Sequence, residues 1–220
     1  MQTPIEIQIW SDLTCPWCFI GKTRLAKAIT TFEIDPQSPP VNVVYRSFRI
    51  APSVPTDFAG STDDYLRDFE GMPAGQVAPV LEHVTAAGQR EGIDYDFAKV
   101  QYTNSGLAHQ LVQYAKTLGL QSAMVDRIYT AFFTDGLNIG GVDVLADLAD
   151  EVGINRADAV EALTSGEFAH AVDDDETTGK NLGISGVPFY VIDNKFGVAG
   201  AQETDAFVGI LQQIASEAKQ

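Results

Sequence analysis

The chain has 220 residues, 45% of them hydrophobic, enough to bury a core without disulfide support, either as one domain or as a domain carrying a large insertion. Its 30 acids against 14 bases leave a formal charge of −16, which argues against a nucleic-acid partner, because a phosphate-binding surface needs clustered Lys and Arg. No apolar run approaches the length of a bilayer span, and Met1 to Glu6 lack a basic stretch followed by an apolar one, so a cytoplasmic protein without a membrane partner is expected.

In chain order, Ile5, Ile7 and Ile9 alternate with Glu6, Gln8 and Trp10, the period of a strand with one face toward a core. From Cys18 the residues Gly21, Leu25, Ala28, Ile29 and Phe32 recur at helical spacing, and Asp35, Pro36, Pro39 and Pro40 end that helix. A second strand follows over Val41, Val43 and Tyr45; reached through a crossover helix, it should pair in parallel with the first. Pro52, Pro55 and Gly60 then read as a linker. No strand pattern returns for over a hundred residues.

Helical stripes replace it: Leu107, Leu111, Ala115 and Leu118, with Asn104 or Ser105 as cap; then Met124, Ile128, Ala131 and Phe132; then Val144, Leu145, Leu148 and Ala149. Between Asp143 and Thr178 the acids are dense and Arg156 is the sole base, which reads as a solvated face or as a docking site for a basic partner. Strands resume at Pro188 to Ile192, turn at Asp193, Asn194 and Lys195, and return over Phe196 to Ala199, before a last helix carrying Phe207, Ile210, Leu211 and Ile214. The order is βαβ, helices, ββα. We divide it into residues 1–55 with 171–220 around an insertion at 56–170.

The only two cysteines, Cys15 and Cys18, stand three apart where the first strand gives way to the first helix. In a reducing compartment such a pair is more often catalytic or metal-binding than structural. At a helix N-terminus, unpaired N–H groups and the positive end of the dipole stabilise a thiolate at Cys15, and Pro16 suits the first helical position. The N–H groups of Trp17 and Cys18 could point at that sulfur, and Lys22, Arg24 and Lys27 add positive charge on the same helix. Cys18, one turn on and toward the buried side, is then the resolving thiol. Zinc is the weaker reading, because His83, His109 and His170 show no paired ligand spacing; two inert packing cysteines is another.

The run from Ser11 through Asp12, Leu13, Thr14, Cys15, Pro16, Trp17, Cys18, Phe19, Ile20 and Gly21 to Lys22 resembles the DsbA family of thiol:disulfide oxidoreductases, in particular its cytoplasmic FrnE-like branch. The resemblance continues through Asn104, Ser105, Ala108 and His109, through Phe133, Thr134, Asp135 and Gly136, through Gly186, Val187, Pro188 and Phe189, and through Gly200, Ala201 and Gln202. It implies an α/β thioredoxin fold with a large helical insertion between the βαβ half and the ββα half. It also implies a cis Pro188 facing the cysteine pair, leaving the Val187 backbone to bind an extended substrate or glutathione; a proline that merely opens an edge strand is the plainer reading.

The expected activity is disulfide exchange on protein or small-molecule disulfides, with no required cofactor and with glutathione as redox partner or co-substrate. Related 2-hydroxychromene-2-carboxylate isomerases and kappa-class glutathione transferases usually carry serine where Cys15 stands, so a glutathione-dependent isomerase or transferase is the alternative. By resemblance, Asn104, Val187, Ala201 and Gln202 are contact candidates and Trp17 could touch a peptide. His109 reads equally as site-lining or structural, and Asp12 as a proton acceptor for Cys18 or a holder of the turn. An apolar stripe in the insertion could face the core or a second copy in a homodimer.

Overall fold

In the computed structural model, which describes residues 3–73 and 75–217, the first alternating run is β1 (Ile5–Ser11). Ile5, Ile7 and Ile9 are buried, while Glu6 and Gln8 are half-buried. Trp10 lies inside as well, its indole N–H donating to the Asp175 carbonyl at 2.8 Å. Helix α1 (Pro16–Phe32) leads to β2 (Val41–Ser47), which pairs in parallel with β1 from Ile5 opposite Val41 to Ser11 opposite Ser47.

Seven helices and a π turn follow among the described residues: α2 (Thr62–Asp68), α3 (Val77–Glu91), α4 (Gly106–Thr117), α5 (Gln121–Thr130), the π turn (Ala131–Asp135), α6 (Val142–Glu151), α7 (Arg156–Ser165) and α8 (Ala169–Asn181). The chain then returns as β3 (Phe189–Ile192), antiparallel to β1, and β4 (Phe196–Ala199), antiparallel to β3. Asp193 and Asn194 sit at φ 50° and 54° in the hairpin turn, a left-handed conformation these short polar residues tolerate. The strand order is β2-β1-β3-β4, and α9 (Thr204–Glu217) packs on α1 through Phe207, Leu211 and Ile214. This is the thioredoxin fold with a helical insertion between its halves. The expected insertion boundary near His170 falls in the first turn of α8, and residues 1–2 and 218–220 of the expected flanking segments lie outside the described residues.

The acidic run is not one surface. Asp175 is buried and accepts from Gln113 Nε2 at 2.6 Å, Arg46 Nη1 at 2.9 Å and the Ser47 N–H at 3.0 Å, while Glu176 and Asp173 hold Arg49. These acids therefore fasten α8 to the end of β2, and a docking face could draw only on the remainder of the run. Asp143 and Asp147, on the exposed side, hold Arg156. Among the described residues no helix is long and apolar enough to cross a membrane.

Candidate redox site

The site starts in the turn between β1 and α1. Asp12 builds it: its carbonyl accepts the Cys15 N–H at 3.2 Å and its carboxylate accepts the Thr14 N–H at 3.3 Å and the Ile50 N–H at 2.7 Å. Cys15 is the N-cap residue of α1, with extended φ −93° and ψ 114°, and Pro16 opens the helix. One expectation fails here. The Cys15 sulfur accepts no bond from the first helical N–H groups; the Cys18 and Phe19 N–H groups turn instead to the Cys15 carbonyl, at 3.1 and 3.4 Å.

The helix bases also act differently from their count. Lys22 pairs with Asp126, Arg24 with Glu91 at 2.7 Å and Glu203 at 2.9 Å, and Lys27 with Glu91 at 2.7 Å. In so acidic a chain each base on this helix finds a carboxylate, so the local positive excess expected around Cys15 is neutralised. What remains for a thiolate is the end of the helix itself.

The two cysteines are free thiols, and both are buried, Cys15 at 5% and Cys18 at 2% exposure. Burial pushes the Cys18 thiol well above the ordinary range, and its hydrogen bond to Cys15 and the negative charges of Cys15 and Asp12 push the same way, against the opposing Asp12 N–H. The Cys15 thiol donates to the Val187 carbonyl oxygen at 3.9 Å. The Val187–Pro188 peptide is cis, Pro188 is buried, and the Val187 N–H has no hydrogen-bond partner among the described residues.

His109 does not line an opening. It is buried on α4, with Nε2 3.3 Å from Asp12 Oδ1, so it braces the turn from behind. Burial opposes a charged Asp12, yet its bonds to His109, Ile50 and Ser105 outweigh that and hold its carboxyl below the usual range. Asn104 is also committed to the framework: its amide N–H groups reach the Pro52 and Val54 carbonyls at 2.8 and 3.2 Å and its oxygen accepts the Gly106 N–H at 2.9 Å, while Ser105 holds the N-cap position of α4 without a side-chain cap bond. Ala201 gives its carbonyl to Arg24 at 2.9 Å, and the Gln202 amide turns back to the Ala199 carbonyl at 2.7 Å. Trp17 is half-buried against His83, with ring centroids 5.5 Å apart.

Two recesses border the pair. One, of about 140 Å³, is lined by Cys15, Pro16 and Trp17 together with apolar side chains of α2 and α3. The other, of about 480 Å³, opens beside Val187 and sets charged Arg49, Glu176 and Lys180 among apolar Phe48, Ile50 and Pro52. Ile50 lines both. Tyr95 adds a clamp from the insertion, its hydroxyl donating to the Pro16 carbonyl at 2.7 Å. Ile50, Lys180 and Tyr95 escape the sequence reading. Ile50, which lies just past the carboxyl end of β2, could have been found from that position.

Comparison with known proteins fits this geometry. The DSBA-like thioredoxin domain matches residues 6–212. The chain belongs to that family. It is 31% identical to a probable DsbA oxidoreductase from Streptomyces coelicolor, whose crystal structure superposes with a TM-score of 0.88 over 97% of this chain and 91% of that one. It is 26% identical to the uncharacterized protein YwbO of Bacillus subtilis over 92% of this chain and 94% of that protein. A 2-hydroxychromene-2-carboxylate isomerase, 15% identical, shares the fold with a TM-score of 0.72 over 98% of this chain and 97% of that one. The DsbA-like assignment carries thiol:disulfide oxidoreductase chemistry at the level of the family, while the isomerase shows that the scaffold alone does not select the reaction.

Proposed function

We propose that this protein is a cytoplasmic thiol:disulfide oxidoreductase or isomerase of the FrnE-like branch, working through Cys15-Pro16-Trp17-Cys18. The observation that carries the reading is Cys15 at the N-cap of α1, 3.9 Å from the Val187 carbonyl, with Cys18 buried one turn behind it. The Cys15 thiolate attacks one sulfur of a substrate disulfide; that bond breaks, a mixed disulfide forms, and the departing sulfur takes up a proton. Cys18, deprotonated, then attacks the Cys15 sulfur, the substrate's second sulfur leaves as a thiol, and the enzyme's pair is oxidised as the substrate is reduced by two electrons. Run backwards, the same steps oxidise a dithiol. No organic cofactor enters them. The Val187 N–H would pair with an extended substrate backbone and Pro188 would wall the site.

Replacing Cys15 with Ser tests this directly. Insulin reduction and the refolding of scrambled ribonuclease should fall to the uncatalysed rate, a loss of at least about a hundredfold for a missing nucleophile; a variant with the parent rate would sink the proposal.

The cleft beside Val187, with Arg49 and Lys180 in its wall, favours one second reading, a glutathione-dependent isomerase or transferase. Lys180, exposed and without an ion-pair partner among the described residues, stands where a glutathione carboxylate could reach. Against it, the side chains of Asn104 and Gln202 are spent on backbone carbonyls and Ala201 offers no polar group. Activity that survives Cys18→Ser and requires glutathione would favour this second reading.

A further inference from the structure

The peptide joining Pro16 to Trp17 carries two features that the exchange steps leave unexplained. Pro16 has no N–H, so the Trp17 N–H is the first that α1 offers, and it has no hydrogen-bond partner among the described residues. The Cys18 N–H, next in line, is taken by the Cys15 carbonyl at 3.1 Å. At the other end of the same peptide, the Pro16 carbonyl accepts the Tyr95 hydroxyl at 2.7 Å, from 79 residues away in sequence. Tyr95 is buried and its ring is fixed: Gly88 of α3 leaves no room for a Cβ against it, Phe133 meets it edge-on at 5.2 Å, and Phe97 stacks on it at 5.2 Å. The hydroxyl is therefore aimed.

Hydrogen bonds in a chain polarise one another, each strengthening the next by roughly 10–30%. Donation into the Pro16 carbonyl draws electron density through the amide and leaves the Trp17 N–H the stronger donor. That matters at Cys15 because Lys22, Arg24 and Lys27 on its helix are all held by carboxylates. Of the other titratable groups that face the pair, Asp12 and an ionised Glu70 oppose a thiolate, while Tyr102, Tyr129 and Tyr190 are pushed up by burial and stay uncharged. His109 is set against Asp12, and exposed His83 lies against the Trp17 ring. Tyr95 is pushed up too, by burial and then by the charges of Cys15 and Cys18, so it remains a donor within electrical reach of both sulfurs.

We propose that Tyr95 is a positioning residue for Cys15: by donating to the Pro16 carbonyl it prepares the Trp17 N–H to receive the thiolate, so the helical insertion sets how readily the attacking sulfur ionises. No bond from Tyr95 to either sulfur is required. While protonated, Cys15 donates to the Val187 carbonyl at 3.9 Å; once its proton has gone to solvent it can only accept, and the unpaired donor its own helix offers is the Trp17 N–H. The proposal rests on the exchange reading above and gives it a direction, because holding Cys15 as a thiolate stabilises the dithiol form and makes the protein the stronger oxidant.

Tyr95→Phe removes the hydroxyl and keeps the ring. The reduced protein is alkylated with iodoacetamide across pH, and modification at Cys15 is followed by mass spectrometry. On the acid limb, where rate follows thiolate fraction, the variant should react about threefold more slowly than the parent, as a strengthening of that order in one charge-assisted bond allows. On the alkaline plateau, where Cys15 is fully ionised, the two should agree within about 1.5-fold. In a glutathione buffer on that plateau the variant's equilibrium should move about threefold toward the disulfide, or about 14 mV at 29.6 mV per decade. A loss under about 1.5-fold on the acid limb, or an equal loss on both limbs, overturns the proposal, the second outcome marking a merely structural contact. If neither protein closes its disulfide with oxidised glutathione, the exchange reading falls, while the alkylation profiles still judge Tyr95. Should Tyr95→Phe fail to fold, Gly88→Ala, which pushes the ring off its seat with the hydroxyl intact, is read by the same two limbs.

Discussion

Cys18 is kept as a thiol by what surrounds it: burial first, then its bond to Cys15 and the charges of Cys15 and Asp12. An attacking cysteine must be a thiolate, so the resolving step waits on a proton that the folded protein holds tightly. With the Cys18 thiol raised well above the ordinary range, its thiolate fraction grows tenfold for each pH unit across neutrality. Release of a small thiol from a preformed Cys15 mixed disulfide should therefore accelerate about tenfold per unit between roughly pH 6 and 8. A flat profile would mean that Cys18 is not the group being deprotonated. The same raised value ties Cys18 to stability: the folded chain binds this proton more tightly than the unfolded one. That contribution is full below the ordinary thiol range and is lost as pH climbs from that range to the raised folded value.

Between elements, the packing that matters most to the site is α1 against the strand opened by Pro188, and it passes through Gly21. A Cβ there would stand 2.3 Å from the Tyr190 hydroxyl, 3.2 Å from Pro188 Cγ and 3.3 Å from Ala201 Cα. Tyr190 is buried, and its hydroxyl has no hydrogen-bond partner among the described residues, so packing holds it in place. Two effects of Gly21→Ala oppose each other. Helix propensity favours alanine by ~1 kcal/mol, whereas forcing a methyl into a filled interface costs about 1–3 kcal/mol. With three residues in the way, one of them presenting backbone, the second should win. Urea unfolding should show a net loss of about 1–2 kcal/mol, together with slower exchange as Pro188 is displaced. A gain of ~1 kcal/mol would show that the interface yields and propensity decides.

The elements differ in how far they could be read in advance, for reasons local to each. β1, α1 and β2 declare themselves through alternation and proline stops, and α4, α5 and α6 through apolar stripes. α2 is seven residues long, shorter than the window that periodicity needs, although its capping box at Ser61 and Asp64 was there to be seen. α3 starts from Gln76, a poor cap, and carries Pro79 in its first turn, so it reads as more linker; Val77, Val80, Val84 and Gly88 keep a helical period that could have found it. The consequence falls on the site. Cys15, Cys18 and Pro188 are legible because their chemistry is local, but the recess that α2 and α3 raise beside Cys15 is not. Nor are the pairings of Arg24 and Lys27 with Glu91, which lie 67 and 64 residues away in sequence.

At the scale of the whole molecule, the charge of −16 sets a field that any substrate must cross. The bases nearest the cysteines are each bound to a carboxylate, so little positive charge on α1 offsets it. The cleft beside Val187 is the exception, since Lys180 and Arg49 line it, with Arg49 held by Glu176. These two influences predict opposite responses to salt for an anionic disulfide such as oxidised glutathione. If the global field governs encounter, shortening the Debye length from about 30 Å at roughly 0.01 M salt to below 10 Å above 0.15 M removes repulsion, and the rate rises. If the cleft bases recruit the anion, screening removes attraction and the rate falls. The acids outnumber the bases by 16, whereas only Lys180 in the cleft lacks an ion-pair partner among the described residues, so the expected sign is a rise, of about threefold over that salt range. Neutral bis(2-hydroxyethyl) disulfide should change little and serves as the control. A fall with oxidised glutathione alone would locate anion capture in the cleft beside Val187 and shift weight toward the glutathione-dependent reading.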